Sequence, residues 1–221
     1  MWTDENAREA GDQAPSHRHD GPKQPEQLKV SSGQVMVIDH FMLANQQFLS
    51  ALPQQDQGTP EEWVRAGAKE IRLAVERYGG ALLQVEAGDW GVNRDPQATA
   101  FTLGRFGGDP SGETERSAML EARGNATPIG RVFIDTRCVV FVDAGILANR
   151  PLLDDYRRMR QEGEDKAARD LIRENGAAVR YGFNRDGDEL GVFRLPDDLG
   201  YALWPDVVES LPPGSAHDTG E

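Results

Sequence analysis

Cysteine occurs once in this chain, at Cys138, so an intramolecular disulfide framework is excluded. Thiol catalysis would need a nearby base. Three of the four histidines, His17, His19 and His217, fall in polar terminal stretches, which leaves only a Cys138–His40 pair. Basic residues are scarce relative to acidic ones: 24 Lys and Arg stand against 37 Asp and Glu, a net charge of -13. That balance opposes whole-molecule attraction to nucleic acid or to an anionic membrane. The one basic run, Arg157, Arg158 and Arg160, is ringed by Asp154, Asp155, Glu162, Glu164 and Asp165 and reads as a solvated mixed-charge helix face. No apolar run reaches the roughly 18 residues of a membrane span. The start, Met1-Trp2-Thr3-Asp4-Glu5, lacks the basic residues and apolar stretch of a signal peptide. The expectation is a cytoplasmic protein with neither a membrane nor a nucleic-acid partner. Phosphate loops of the Walker or dinucleotide type, the Gly-x-Ser-x-Gly elbow and His-Glu-x-x-His are missing too, so no cofactor is expected.

What remains is enough for one well-buried core: 221 residues, of which 38% are hydrophobic. Residues 1–26 have almost no large apolar side chains and read as a disordered polar tail. His17-Arg18-His19 within it supplies too few ligands for a metal site. Pro212-Pro213-Gly214 marks a second tail, 211–221, which leaves a folded region of 27–210.

Within that region the chain repeats itself. Ser31-Ser32-Gly33-Gln34-Val35-Met36-Val37-Ile38-Asp39-His40-Phe41-Met42-Leu43-Ala44-Asn45 lies without a gap over Asp135-Thr136-Arg137-Cys138-Val139-Val140-Phe141-Val142-Asp143-Ala144-Gly145-Ile146-Leu147-Ala148-Asn149. Val35/Val139, Asp39/Asp143, Leu43/Leu147, Ala44/Ala148 and Asn45/Asn149 coincide. Each segment is followed by a helical pattern, a glycine turn and further extended runs. Those runs are 80–85 and 88–94 in the first copy, 176–181 and 187–194 in the second.

The helices have local signals. Thr59-Pro60-Glu61-Glu62 is a capping box with proline at the first helical position. Val64, Ile71, Val75 and Tyr78 follow at helical spacing, and Gly79-Gly80 ends the run. The second copy places a helix within 152–174, interrupted at Gly163 and stopped at Asn175-Gly176. Short polar turns between β-branched runs, at Ser31-Ser32-Gly33 and Asp135-Thr136-Arg137, predict hairpins, as does Asp186-Gly187. Ala98 to Phe106 reads as a further strand. The expected fold is α+β and β-rich, a single domain of two pseudo-symmetric β-β-α-β-β units at about 28–95 and 132–195, with 96–131 as linker.

The run Ser32-Gly33-Gln34-Val35-Met36-Val37-Ile38-Asp39, with Asp186-Gly187-Asp188 before Leu190-Gly191-Val192-Phe193, resembles a family of uncharacterised bacterial proteins. That family carries duplicated Val-Asp-Ser-Gly, strand, Asp segments. The resemblance covers about a third of the chain. Ser31 stands for the family's first Asp, Arg137 for a Gly, and no Pro follows Asp39 or Asp143. The resemblance implies the duplicated architecture and no activity.

Two readings of function follow. The repeated Asp39 and Asp143 end strands and can cap the turn that comes next. In that case the chain is a non-enzymatic binding or structural module, an acidic protein that binds or inhibits a basic protein partner. Alternatively, brought together, Asp39 and Asp143 hold a divalent metal ion or share a proton, with His40 assisting. The chain is then a metal-dependent hydrolase. An aspartic-protease dyad is excluded, since Asp135-Thr136-Arg137 lacks the glycine and Ser31-Ser32-Gly33 lacks the carboxylate. Asn184 to Glu189 has the composition of a calcium loop without its spacing. Trp63 and Trp90 read as core or rim aromatics, and Trp204 as the anchor of the C-terminal segment.

Overall fold

The computed structural model describes residues 25–55, 58–94, 101–105, 117–118, 121–136, 138–181 and 188–204. Both expected tails lie outside these residues apart from Pro25 and Glu26, as do Asp186-Gly187 and most of the Asn184–Glu189 stretch. The chain is mixed α and β, with two antiparallel sheets.

The strands are β1 (Glu26–Val30), β2 (Gln34–Asp39), β3 (Ala81–Gln84), β4 (Gly88–Arg94), β5 (Phe101–Gly104), β6 (Thr127–Ile134), β7 (Cys138–Asp143), β8 (Ala177–Tyr181), β9 (Asp188–Arg194) and β10 (Tyr201–Trp204). One sheet has the order β3-β2-β7-β8, the other β1-β4-β5-β10-β9-β6. β2 and β7 form the centre of the smaller sheet and pair antiparallel about Val37 opposite Phe141, with two further pairs on each side.

Side chains alternate across a strand, so the two faces of β2 and β7 serve two different cores. Val35, Val37, Val139 and Phe141 point between the sheets, where they meet Leu28, Trp90, Val92, Phe101, Leu103, Val132, Leu190, Val192 and Leu203. Met36, Ile38, Val140 and Val142 point the other way, into a layer closed by the helices. Burial on both faces is why β2 and β7 read as unbroken apolar runs.

Among the described residues, the helices of six residues or more are α1 (Gln46–Ala51), α2 (Pro60–Ala66), α3 (Ala68–Arg77), α4 (Arg150–Gln161) and α5 (Asp165–Glu174). Short 3-10 turns, His40–Ala44 and Ala144–Ala148, follow β2 and β7. Thr59 accepts from the Glu62 amide and Glu62 reaches back to Thr59, as the capping box predicts. Gly67 breaks the run into α2 and α3; a Cβ there would lie 2.8 Å from the Pro53 ring. Gly163, at φ 78°, separates α4 from α5.

The hairpin expectations need correction. β1 pairs with β4 and β6 with β9, so the turns at Ser31–Gly33 and after Ile134 carry the chain from one sheet into the other. β8 and β9 likewise belong to different sheets. A polar turn signals a change of direction, not which edge the next strand finds. The strand expected over Ala98 to Phe106 is β5, within the expected linker 96–131, which also takes in five of the eight residues of β6; β10 is a strand the sequence did not announce.

Candidate functional site

Asp39 leaves the end of β2 with its carboxylate aimed at two segments. One oxygen accepts from the Phe41 amide at 2.8 Å and caps the 3-10 turn. The other accepts from the amides of Asp135 and Thr136, each at 2.9 Å, and from the Thr136 hydroxyl at 2.8 Å. Asp143 repeats the pattern from β7. One oxygen accepts from Gly145 at 2.6 Å, the other from Ser32 at 2.9 Å and from Ser31. Each aspartate therefore ties its own following turn to the turn that leads into the neighbouring strand. Asn45 and Asn149 then cap α1 and α4.

The structure does not bring the two aspartates together. Asp39 lies opposite Val139 and Asp143 opposite Val35, four ladder steps apart. At about 3.3 Å per residue that is about 13 Å along the strands, too far to share an ion or a proton. Carboxylates that share an ion or a proton lie within about 5 Å of each other, and the antiparallel pairing of β2 with β7 sets these two at opposite ends of the paired segment. Among the described residues, no group of three or more His, Cys, Asp or Glu is placed to hold a metal ion.

His40 is buried and its ring is committed. Nδ1 lies 2.6 Å from the Thr136 oxygen, whose hydroxyl proton goes to Asp39; the network therefore assigns the proton of this bond to Nδ1. Burial first, then the positive charge of Arg160, pull its pKa down to about 4, so the imidazole is neutral near pH 7. Its backbone carbonyl accepts from the Tyr156 hydroxyl at 2.8 Å. Cys138 is buried, and burial pushes its thiol up to about 12. A protonated, enclosed thiol is not a nucleophile, and Cys138 fills core space beside Val140.

The basic run on α4 is neutralised locally. Arg157 pairs with Asp154, Arg158 with Asp155 and Glu162, and Arg160 with Asp165. Trp63 and Trp90 are buried, each indole N–H donating to a nearby backbone carbonyl, of Gln54 and Glu86. Trp204 packs at a tilt of 52° against Phe193 on the outer face of the larger sheet, with the Arg123 guanidinium 4.9 Å over its ring.

A groove of about 550 Å³ lies beside Asp143. Among the described residues that line it, Glu61 comes from α2, Asp89 from β4, Asp143 from β7 and Glu174 from α5, and Lys29 and Arg173 are the cations. Arg173 is already engaged by Asp170 at 3.3 Å and Glu26 at 3.8 Å. The groove thus carries more negative than positive charge, with carboxylates spread along its walls. That spacing suits an extended cation such as a guanidinium or ammonium side chain better than a compact ion. Sequence reasoning found Asp143 and missed Glu61, Asp89 and Glu174. Nothing local distinguishes these three, and only the pairing of β1 with β4 and the return of α5 set them side by side. Among the described residues, no helix is long and apolar enough to cross a membrane. Comparison with family models, with curated proteins and with solved structures gives no match.

Proposed function

We propose that the chain is a non-catalytic cytoplasmic binding module that takes a basic side chain of a protein partner in the acidic groove beside Asp143. The observation that carries this reading is the excess of carboxylates lining that groove. The wider charge agrees with it: residues 28–204 hold 27 Asp and Glu against 21 Lys and Arg, so the acidity is not confined to the tails. Charge complementarity of this kind steers encounter and selects partners more than it adds affinity. A single buried, unpaired cysteine is compatible with the reducing cytoplasm.

The scaffold, on this reading, is a duplicated unit folded about a pseudo-twofold axis through the Val37–Phe141 pair. Three observations support it. Val37 and Phe141 coincide in the ungapped alignment and face each other in the sheet. Both sheet orders read the same from either end once β1 is matched with β6, β2 with β7, β3 with β8, β4 with β9 and β5 with β10. Asp39 and Asp143 bind equivalent amides in opposite halves. The repeated aspartates thereby serve the architecture, and the groove forms beside one of them.

The test is capture from the native cytoplasm at low and high salt, with full-length protein and with a variant lacking residues 1–26. A basic protein retained at low salt by both, released at high salt, and lost from Glu61→Gln/Glu174→Gln supports the module. Retention unchanged in that double variant removes the groove from the account.

A further inference from the structure

The connection between β9 and β10 has a costly backbone. Asp197 and Asp198 both take positive φ, 55° and 56°, a left-handed conformation that side chains other than glycine rarely adopt. The turn is held by the Leu199 amide on the Pro196 carbonyl at 3.2 Å and the Leu195 amide on the Gly200 carbonyl at 2.9 Å. Gly200 presses against the end of β5, where a Cβ would sit 2.0 Å from the Leu103 carbonyl oxygen. The turn is thereby fixed in place, and it brings Asp198 to the rim of a second cavity, of about 500 Å³.

This cavity opens where the ends of the two sheets meet. Trp90 on β4 and Tyr201 on β10 line it, together with Val85. The Trp90 indole donates to the Glu86 carbonyl and the Tyr201 hydroxyl to the Gln84 carbonyl, so both polar tips are already engaged; the rings are buried, 5% and 7% exposed, and what each presents to the cavity is a narrow margin of aromatic carbon. Arg105, just past the end of β5, and Arg194, the last residue of β9, reach the cavity. Arg105 lies 5.4 Å over the Trp90 ring and donates to the Ala87 carbonyl at 3.3 Å, which holds the guanidinium in position.

The arginines are paired with exposed carboxylates: Arg105 with Glu86 at 2.7 Å, Arg194 with Asp198 at 3.0 Å. The Glu86 and Asp198 side chains are 80% and 89% exposed. Such pairs are weak and exchangeable. An incoming oxyanion can replace either carboxylate while Trp90 and the Ala87 carbonyl keep Arg105 in place. Arginine forks suit carboxylate and phosphate equally, and the aromatic wall suits a carbon body attached to them.

We propose that this cavity binds a small organic oxyanion, its carboxylate or phosphate between Arg105 and Arg194 and its carbon body against Trp90 and Tyr201. The site is separate from the acidic groove and does not depend on it. The experiment follows the Trp90 indole N–H signal by 15N NMR, identified by its loss in Trp90→Phe, during titration with benzoate, phenyl phosphate and inorganic phosphate. The expected result is a saturable shift with benzoate or phenyl phosphate, weakened at least tenfold in Arg105→Ala and in Arg194→Ala. Binding is expected to be unchanged in Arg131→Ala, whose guanidinium pairs with Glu189. Asp198→Asn, which removes a competing carboxylate, tightens it. The better of the two aromatic probes identifies the headgroup. No saturable shift with any probe, or a shift indifferent to both arginine substitutions, overturns the proposal. Inorganic phosphate binding as tightly as phenyl phosphate overturns the part given to Trp90 and Tyr201.

Discussion

Asp39 accepts four hydrogen bonds from two segments of the chain, so Asp39→Asn turns an all-acceptor group into one whose NH2 must face N–H donors. The expected cost is about 2–3 kcal/mol, read as a lowered urea midpoint. Asp143→Asn should cost about 2 kcal/mol by the same mechanism, being less buried. A tenfold smaller effect at either position would deny that both carboxylates fasten the turns they touch. His40 gives the stability a pH dependence. Its folded pKa of about 4 lies below the ordinary 6.5, so the unfolded chain takes up a proton first as pH falls. Stability from this group is full above about pH 6.5 and is lost progressively toward pH 4, on the order of 3 kcal/mol in all. Urea midpoints at pH 7 and pH 5 should therefore differ less in His40→Asn than in the unmodified protein. An unchanged difference would place the pH dependence elsewhere. Asp39 and Asp143 were conspicuous in the sequence because the repeat singles them out. Their separation was not, because it depends on β2 and β7 running antiparallel about Val37 and Phe141.

At the level of elements, the helix start at Thr59 was legible because a capping box is local: donor, acceptor and proline lie within four residues. Thr59→Ala should cost about 1 kcal/mol, measured by thermal melting; an unshifted midpoint would mean the first turn is held by other contacts. Gly200 makes a steeper case. Its φ of 117° and the 2.0 Å approach of any Cβ to the Leu103 oxygen leave alanine no accommodation without moving β5 or β10. Gly200→Ala should lower stability by about 3 kcal/mol or more, and the loss should appear as faster hydrogen exchange in β10. The strands themselves were visible as β-branched runs, but their partners were not. β1 ends at a turn that resembles a hairpin and yet joins β4, 58 positions away at the closest pair. The reason is that β2, apolar on both faces, is enclosed by β3 and β7 and has no edge left for β1.

For the whole molecule, the charge balance is the feature read most directly from composition, and its placement the least. The helix α4 looked basic and acidic in alternation, and it is in fact a chain of local ion pairs that cancel. The groove beside Asp143 gathers its carboxylates from four elements spread from residue 61 to 174, an assembly that no linear spacing announces. The proposed binding should be electrostatically steered. Association should slow as salt rises, because exposed charges are screened beyond a Debye length of about 8 Å at physiological ionic strength. The most direct measurement is the association rate of a partner captured from a lysate of the native cells, compared between the full-length protein and Glu61→Gln/Glu174→Gln across a salt series. The account predicts a basic partner, a rate that falls steeply with salt for the unmodified protein, and a slower, flatter dependence for the double variant. A partner that is not basic, or identical salt dependence in both proteins, would contradict it.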